Sequence, residues 1–231
     1  MNIAQIGTGN MGRIVAAFVT SKGHTIAIAI DSAEASLDAG KLSEKLKGAD
    51  VTIDFSVANA VLRNVEACML AGVPLVEGTT AWSEGRTEIE KLVKKHNGAV
   101  VHGANFSIGV NLFYRVTDFA AELFSKFPEY EVFIEEQHHS RKKDAPSGTA
   151  LKLNDIVMRH LGKNNSVSST RAGSIPGTHR VGFDGPADQI LLEHMARSRE
   201  GFAAGALKAA EWVIGKKGFF EFGDVMSEIL S

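Results

Sequence analysis

Ile3-Ala4-Gln5-Ile6-Gly7-Thr8-Gly9-Asn10-Met11-Gly12-Arg13 starts as an apolar run, breaks into three spaced glycines, and continues as an apolar helical pattern at Ile14, Val15, Phe18 and Val19. A Gly-x-Gly-x-x-Gly motif alone says little. Here it leaves a strand and opens a helix, which is the context a dinucleotide site requires. Gly7 allows a tight turn, Gly9 lets a pyrophosphate approach the backbone, and Gly12 permits close helix packing. Thr8, Asn10 and Met11 fall in the same candidate cofactor loop. The competing reading is a plain strand–helix turn.

Outward from this stretch, strand and helix patterns alternate. Thr25 to Ile30 reads as a second strand ending at Asp31. An acid about 20 residues past the glycines can accept a hydrogen bond from the adenosine ribose 2′-hydroxyl; a turn-forming Asp is the alternative. Residues 32–48 are polar and weakly patterned, a short helix or loop. Asp50 to Phe55 is a third strand, Val57 to Leu70 a helix, and Val73 to Glu77 a fourth strand before Gly78-Thr79-Thr80. Glu84 to His96 is amphipathic, with Ile89, Leu92 and Val93 on one face, and Ala99 to His102 is a fifth strand. Short apolar strands alternating with helices predict an α/β fold with a Rossmann-type, doubly wound parallel sheet. Ligands bind such sheets outside the carboxyl ends of the strands. Gly7-Thr8-Gly9, Asp31, Phe55-Ser56, Gly78-Thr79-Thr80 and Ala104-Asn105-Phe106 all fall there.

After Ser107 the pattern changes, which divides the chain into residues 1–107 and a second, α+β domain over 108–214. A helical stretch from Ile108 to Phe127 precedes a strand at 131–137 and a helix at 147–161. Residues 166–195 lack helical periodicity and read as two or three strands. Phe202 to Ile214 is a helix, and Gly218 to Leu230 closes the chain.

Between the strand and helix of that second domain lies the densest polar stretch, Glu135-Glu136-Gln137-His138-His139-Ser140-Arg141-Lys142-Lys143-Asp144-Ala145-Pro146-Ser147-Gly148-Thr149-Ala150. The loop presents side chains, and the helix start presents backbone N–H groups at a positive dipole end. Arg141-Lys142-Lys143 alone would read as a solvated loop, and Ser147 as a helix N-cap. Capping and anion binding use the same helix end and are compatible. Proton donors, cations and an anion-binding turn together suit an acidic small molecule that must be protonated. No metal is expected: neighbouring histidines in extended chain point opposite ways, and no H-x-x-x-H or H-E-x-x-H spacing occurs.

The 231 residues, 44% of them apolar, are ample for a core. A net charge of −2 gives no nucleic-acid footprint. No apolar run approaches the ~20 residues of a membrane span, so no membrane partner is expected. Met1 to Ile6 lacks the basic start of a signal peptide. The one cysteine, Cys68, sits in an apolar helical pattern as a core thiol, which suits a reducing, cytoplasmic setting.

Several stretches carry a resemblance to a known family. They are Gly7 to Arg13, Ile53-Asp54-Phe55-Ser56, Gly78-Thr79-Thr80, Asn105-Phe106-Ser107-Ile108-Gly109-Val110-Asn111, His138-His139 through Asp144-Ala145-Pro146-Ser147-Gly148-Thr149-Ala150, and Phe202-Ala203-Ala204-Gly205-Ala206. In this order, over nearly the whole chain, they resemble the 4-hydroxy-tetrahydrodipicolinate (dihydrodipicolinate) reductases of lysine and diaminopimelate biosynthesis. The run from His138 to Ala150 is the specific one.

The resemblance implies NAD(P)H-dependent reduction of 4-hydroxy-tetrahydrodipicolinate, a small dicarboxylate, to tetrahydrodipicolinate. It implies a nicotinamide domain completed by residues 215–231, and a substrate domain that builds a homotetramer. It places His138 and Lys142 in acid–base roles and His139, Gly148 and Thr149 on the substrate. It lays Gly78 to Thr80 and Gly103, Ala104, Asn105 and Phe106 along the nicotinamide half of the cofactor. For that reaction Lys142 and Ser147-Gly148-Thr149 can hold a carboxylate. A histidine titrates near neutral pH when unperturbed, so His138 can donate a proton; Lys142 is the other candidate, and Asp144 either orients one of them or caps the turn before Pro146. Asp31 is followed by Ser32, where many members carry a basic residue, so NADH is expected to serve at least as well as NADPH. Two other readings are an aspartate dehydrogenase-like oxidoreductase and a non-catalytic NAD(H)-sensing regulator. The first would not need the Asp144 to Thr149 loop, and the second would need a nucleic-acid-binding segment or basic face.

Overall fold

Five short apolar strands of the first half pair in parallel: β1 (Asn2–Ile6), β2 (Thr25–Ile30), β3 (Val51–Asp54), β4 (Leu75–Glu77) and β5 (Ala99–His102). A strand near the C-terminus, β10 (Gly218–Glu221), adds to β5 in the same sense. The sheet order is β10-β5-β4-β3-β1-β2. The computed structural model describes residues 1–34, 36–82 and 85–231. It divides into one unit of residues 1–108 with 199–231 and another of residues 109–198.

Side-chain alternation splits the first sheet into two apolar faces. Ile3, Val51, Ile53, Val76 and Val101 meet α1 (Asn10–Ser21), α7 (Glu200–Val213) and α8 (Phe222–Leu230). Ala4, Ile6, Leu75 and Val100 meet α2 (Ala39–Leu46), α3 (Val61–Ala71) and α4 (Arg86–Lys95). Cys68 is fully buried in the second face, and burial raises its thiol pKa. This is a Rossmann-type doubly wound sheet. The expected helix start at Glu84 lies outside the described residues.

One expectation needs correction. The chain re-enters the first unit at Arg199, not near residue 215. The helix at Phe202 to Ile214 was assigned to the second domain, yet Ala203, Ala206, Ala209, Ala210 and Val213 of α7 are buried against Val15, Val19 and the sheet. The reason is coverage. Without α7 the apolar face of β3 to β5 would stay wet. A stripe of alanines lets the helix lie close, and at Gly205 a Cβ would come within 1.7 Å of the Phe106 carbonyl oxygen. Periodicity announces such a helix but not the sheet it covers.

The second unit holds α5 (Ile108–Phe124), β6 (Glu131–His138), α6 (Gly148–Leu161), β7 (Ser166–Arg171), β8 (Thr178–Asp184) and β9 (Gln189–Met195). Its sheet runs β7-β6-β8-β9; β6 is parallel to β7 and antiparallel to β8, and β8 is antiparallel to β9. Phe113 and Ala121 of α5 and Ala150, Leu153 and Val157 of α6 close its core against Val132, Ile134, Val181 and Phe183. Among the described residues no helix is long and apolar enough to cross a membrane.

Candidate active site

In the first unit the strand ends bring the predicted cofactor residues to one edge. Gly7 sits at φ +88°, and a Cβ there would lie 2.4 Å from the Phe55 carbonyl oxygen. Gly12 lies so close beneath the loop that its Cβ would be 2.0 Å from the Gly7 oxygen. That oxygen accepts from Gln5 Nε2 at 2.8 Å. Gly9 is the N-cap of α1, and nothing lies within 4 Å of where its Cβ would be. The two outer glycines are thus demanded by the fold, and the middle one leaves an open cradle at a helix N-terminus. A pyrophosphate fits such a cradle. Thr8 and Asn10 are exposed beside it, and Met11 packs partly on the core.

Asp31 is exposed, and its Oδ1 accepts from Ala33 N at 2.7 Å. The carboxylate therefore shapes the turn after β2, at the carboxyl end of that strand. Gly78 must lack a side chain because a Cβ would meet the Phe55 ring at 2.3 Å. Thr79 is buried: its N–H donates to Glu77 Oε1 at 2.7 Å, and its hydroxyl accepts from Ser56 N at 3.1 Å. Thr80 and Ala104 are exposed at the same edge, and Asn105 Oδ1 caps Ser107 N. Phe106 is 1% exposed and packs on Phe222 and Gly103, so only its backbone can meet a ligand.

Beneath these loops lies a buried acid pair that sequence reading passed over. Asp54 accepts from Ser56 N at 2.8 Å and Asn64 Nδ2 at 2.7 Å. Glu77 Oε2 is buried with no donor. Burial, then the Asp54 charge, raises the Glu77 pKa well above its ordinary value, and burial raises Asp54 as well, so the protonated form of the pair is favoured. The pair ties the β3 and β4 strand ends together.

In the second unit the polar stretch folds onto the sheet, and strand register assembles the rest of its site. On β6, Val132, Ile134, Glu136 and His138 share the buried face. Glu136 lies opposite Ser169 on β7 and His179 on β8, and His138 lies beside Arg171. Glu136 Oε1 accepts from Arg171 Nη2 at 2.6 Å, Ser169 Oγ at 2.7 Å and Ser147 N at 3.0 Å. Burial raises this carboxyl, but those hydrogen bonds outweigh it and hold it at about 2. Its Oε2 faces His138 Nε2 at 3.3 Å and His179 Nε2 at 3.6 Å. The two imidazole nitrogens are 3.3 Å apart, and Ser147 Oγ is 3.2 Å from His179 Nε2. Burial, and the His138 neighbour, lower His179 to about 4. Burial also lowers His138, aided by Lys142 and Arg171 and opposed by Glu136. His179 is therefore neutral at pH 7, and the neutral form of His138 is favoured in the same sense.

Ser147 caps α6 as the sequence implies, with its hydroxyl accepting from Ala150 N at 3.3 Å. Gly148 is exposed at the helix start. The Thr149 hydroxyl pairs with the Tyr114 hydroxyl. Lys142 Nζ is gripped by Asp144, at 2.7 Å from Oδ1 and 2.8 Å from Oδ2. His139, past the strand end, buries Nδ1 without a partner. Glu136, Ser169, Arg171 and His179 escaped the sequence reading. Glu136 had a visible signal: it is charged at an inward register position after Val132 and Ile134. The other three are brought in by pairing across strands.

Glu136, His138 and His179 offer ligand atoms within 4.8 Å of one another, the spread a metal ion needs. Arg171 on the same carboxylate and Lys142 close by oppose a dication. The surplus of cations suits an anionic ligand instead.

A dinucleotide cradle on a Rossmann sheet, carried with a cationic, imidazole-bearing pocket, defines a pyridine-nucleotide-dependent oxidoreductase. Residues 1–106 match the family model described as dihydrodipicolinate reductase, N-terminus, and residues 109–226 match that of its C-terminus. The 4-hydroxy-tetrahydrodipicolinate reductase of Christiangramia forsetii is 34% identical, covering 99% of each chain. That of Archaeoglobus fulgidus is 34% identical over 98% of this chain and 100% of its own. A dipicolinate-bound dihydrodipicolinate reductase from Paenisporosarcina sp. TG-14 superposes with a TM-score of 0.78 at 20% identity, covering 96% of this chain and 97% of the other. The chain belongs to the dihydrodipicolinate reductase family, reductases of lysine biosynthesis.

Proposed function

We propose that this chain reduces 4-hydroxy-tetrahydrodipicolinate to tetrahydrodipicolinate with NADH or NADPH. The observation that carries the reading is the pocket of His138, Lys142, Ser147 and Gly148 at one helix start, in a chain whose halves both match the family. The unit of residues 1–108 and 199–231 holds the cofactor through Gly7, Thr8, Gly9, Asn10, Met11, Gly12, Asp31, Phe55, Gly78, Thr79, Thr80, Gly103, Ala104, Asn105 and Phe106. When bound, the nicotinamide supplies the hydride.

The remaining chemistry belongs to the chain's own side chains. Lys142, steadied by Asp144, and the N-terminal turn of α6 attract a substrate carboxylate. The Ser147 hydroxyl and Gly148 backbone fix its orientation, and His139 and Thr149 complete the substrate contacts. Arrival of a dianion raises the His138 pKa, because opposite charge favours the imidazolium. His138 then donates a proton to the carbon that becomes electron-rich as hydride adds to its neighbour, and Lys142 supports that charge. NADH serves at least as well as NADPH, since Asp31 and Glu34 stand together after β2 and repel a 2′-phosphate. Lys45 nearby is already paired to Glu34 at 3.0 Å.

We also assign a homotetramer built through the second sheet, where Ile190, Leu191 and Met195 of β9 are exposed, and a cytoplasmic setting. The deciding test is NADH oxidation on adding freshly prepared pathway intermediate. No oxidation with active intermediate and either nucleotide overturns the reading.

A further inference from the structure

His179 buries its Nδ1 with no hydrogen-bond partner. A proton there would be an orphan donor, at a cost of about 1–3 kcal/mol. The proton of neutral His179 therefore belongs on Nε2, which faces Ser147 Oγ at 3.2 Å and His138 Nε2 at 3.3 Å. An Nε2–H on His179 requires a bare Nε2 on His138. The first proton of His138 is then on Nδ1. That edge of the ring lies against Gly177, where a Cβ would come within 3.2 Å of Nδ1. With Nε2 turned toward His179 and Glu136, Nδ1 is the nitrogen left for a ligand.

We propose that His179 and Glu136 are positioning residues: together they fix which nitrogen of His138 is protonated and hold the charged ring from which the proton leaves. The proposal rests on the reading of His138 as proton donor. When His138 charges, its second proton lands on Nε2, 3.3 Å from Glu136 Oε2. The His179 Nε2–H then turns to Ser147 Oγ. In the transfer the Nδ1–H bond breaks and a C–H bond forms at the substrate carbon. The nitrogen keeps its electron pair, and His138 is left neutral with its proton on Nε2 beside Glu136. Glu136 can act so because Arg171, Ser169 and Ser147 N occupy Oε1 and leave Oε2 without a donor. The other charges on His138 are Lys142 and Arg171, which oppose its protonation, and Asp144, which favours it; His194 acts on His179. A carboxylate steadying an imidazolium that donates from its other nitrogen is the logic of a catalytic triad.

Nitrogen-15 NMR of histidine-labelled protein tests the tautomers without any substitution. It should find His179 protonated at Nε2 and His138 at Nδ1 in the substrate-free protein. A bare Nε2 on His179 overturns the proposal. Glu136→Gln should lower kcat on the order of 10², leave cofactor affinity unchanged, and move the alkaline limb of the kcat profile to lower pH. His179→Gln should lower kcat with little change in KM. A kcat within about threefold of wild type and an unmoved limb in Glu136→Gln would also overturn it. If wild type fails to oxidise NADH with the intermediate, the functional reading falls and the donor role with it, while the tautomers still decide whether His179 and Glu136 fix the protonated nitrogen of His138.

Discussion

Gly12→Ala separates what the fold demands from what the cofactor demands. The added Cβ would lie 2.0 Å from the Gly7 oxygen and 2.5 Å from Gln5 Nε2, against the 3.0 Å that real Cβ contacts respect. The loop or the helix must therefore move by about 1 Å. Gly7 has no slack, since its own Cα faces the Phe55 carbonyl and its N–H bonds Ile30 O at 2.9 Å. Overpacking of this kind costs about 1–3 kcal/mol. Losing the Gln5–Gly7 hydrogen bond adds about 1 kcal/mol, and the gain in helix propensity returns about the same. A net loss of about 1–3 kcal/mol lowers Tm by ~2–12 °C for a chain of this size. Gly9→Ala is the control: nothing lies within 4 Å of the new Cβ, so Tm should hold. It fills the cradle, so NADH affinity should fall at least tenfold, about 1.4 kcal/mol. Thermal melts paired with titration calorimetry of NADH read both effects. A Gly12→Ala protein that melts with wild type, or a Gly9→Ala protein that melts as low as Gly12→Ala, refutes the reasoning.

His138→Ala and Lys142→Ala should each cut kcat by ~10²–10⁴ with cofactor affinity unchanged, whereas Thr149→Val and His139→Ala should mainly raise the substrate KM; steady-state kinetics on the four variants would contradict this if both of the first pair kept wild-type kcat. A clear preference for NADPH in kcat/KM would remove the role given to Asp31. Acid should weaken the second unit in two overlapping windows. His179, lowered from 6.5 to about 4, favours the fold while neutral, so that stability is complete above pH 6.5 and is lost as pH falls toward 4. At ~1.4 kcal/mol per pH unit this amounts to about 3 kcal/mol. Glu136, lowered from 4.5 to about 2, favours the fold while ionised, and its contribution is lost between those values. Denaturant midpoints should fall through both windows, and a flat midpoint from pH 7 to 4 would contradict the His179 environment. Light scattering should give a species several times the 24.7 kDa chain; a monomer at micromolar concentration would remove the assembly assigned above.

The first sheet was legible because each of its signals is local. Strand spacing, glycine chemistry and helix periodicity act over a few residues, so β1 to β5 and the turn from Gly7 to Gly12 follow from the chain read in order. The loop from His138 to Thr149 was legible for the same reason, and the Ser147 cap stands where its turn placed it. Phe106 shows the limit. Its place at a strand end is local, but its burial against Phe222 comes from a helix more than a hundred positions on.

By itself, then, the sequence determined the alternation of strands and helices, the glycine cradle and the polar loop, all short-range consequences of backbone sterics and side-chain period. Tertiary structure alone decided that α7 covers the first sheet, and that burial, with Asp54 beside it, raises the Glu77 pKa. It also decided that Glu136, Arg171 and His179 surround His138, because a strand's partners and register are set by the burial of whole faces, which no short stretch of chain encodes.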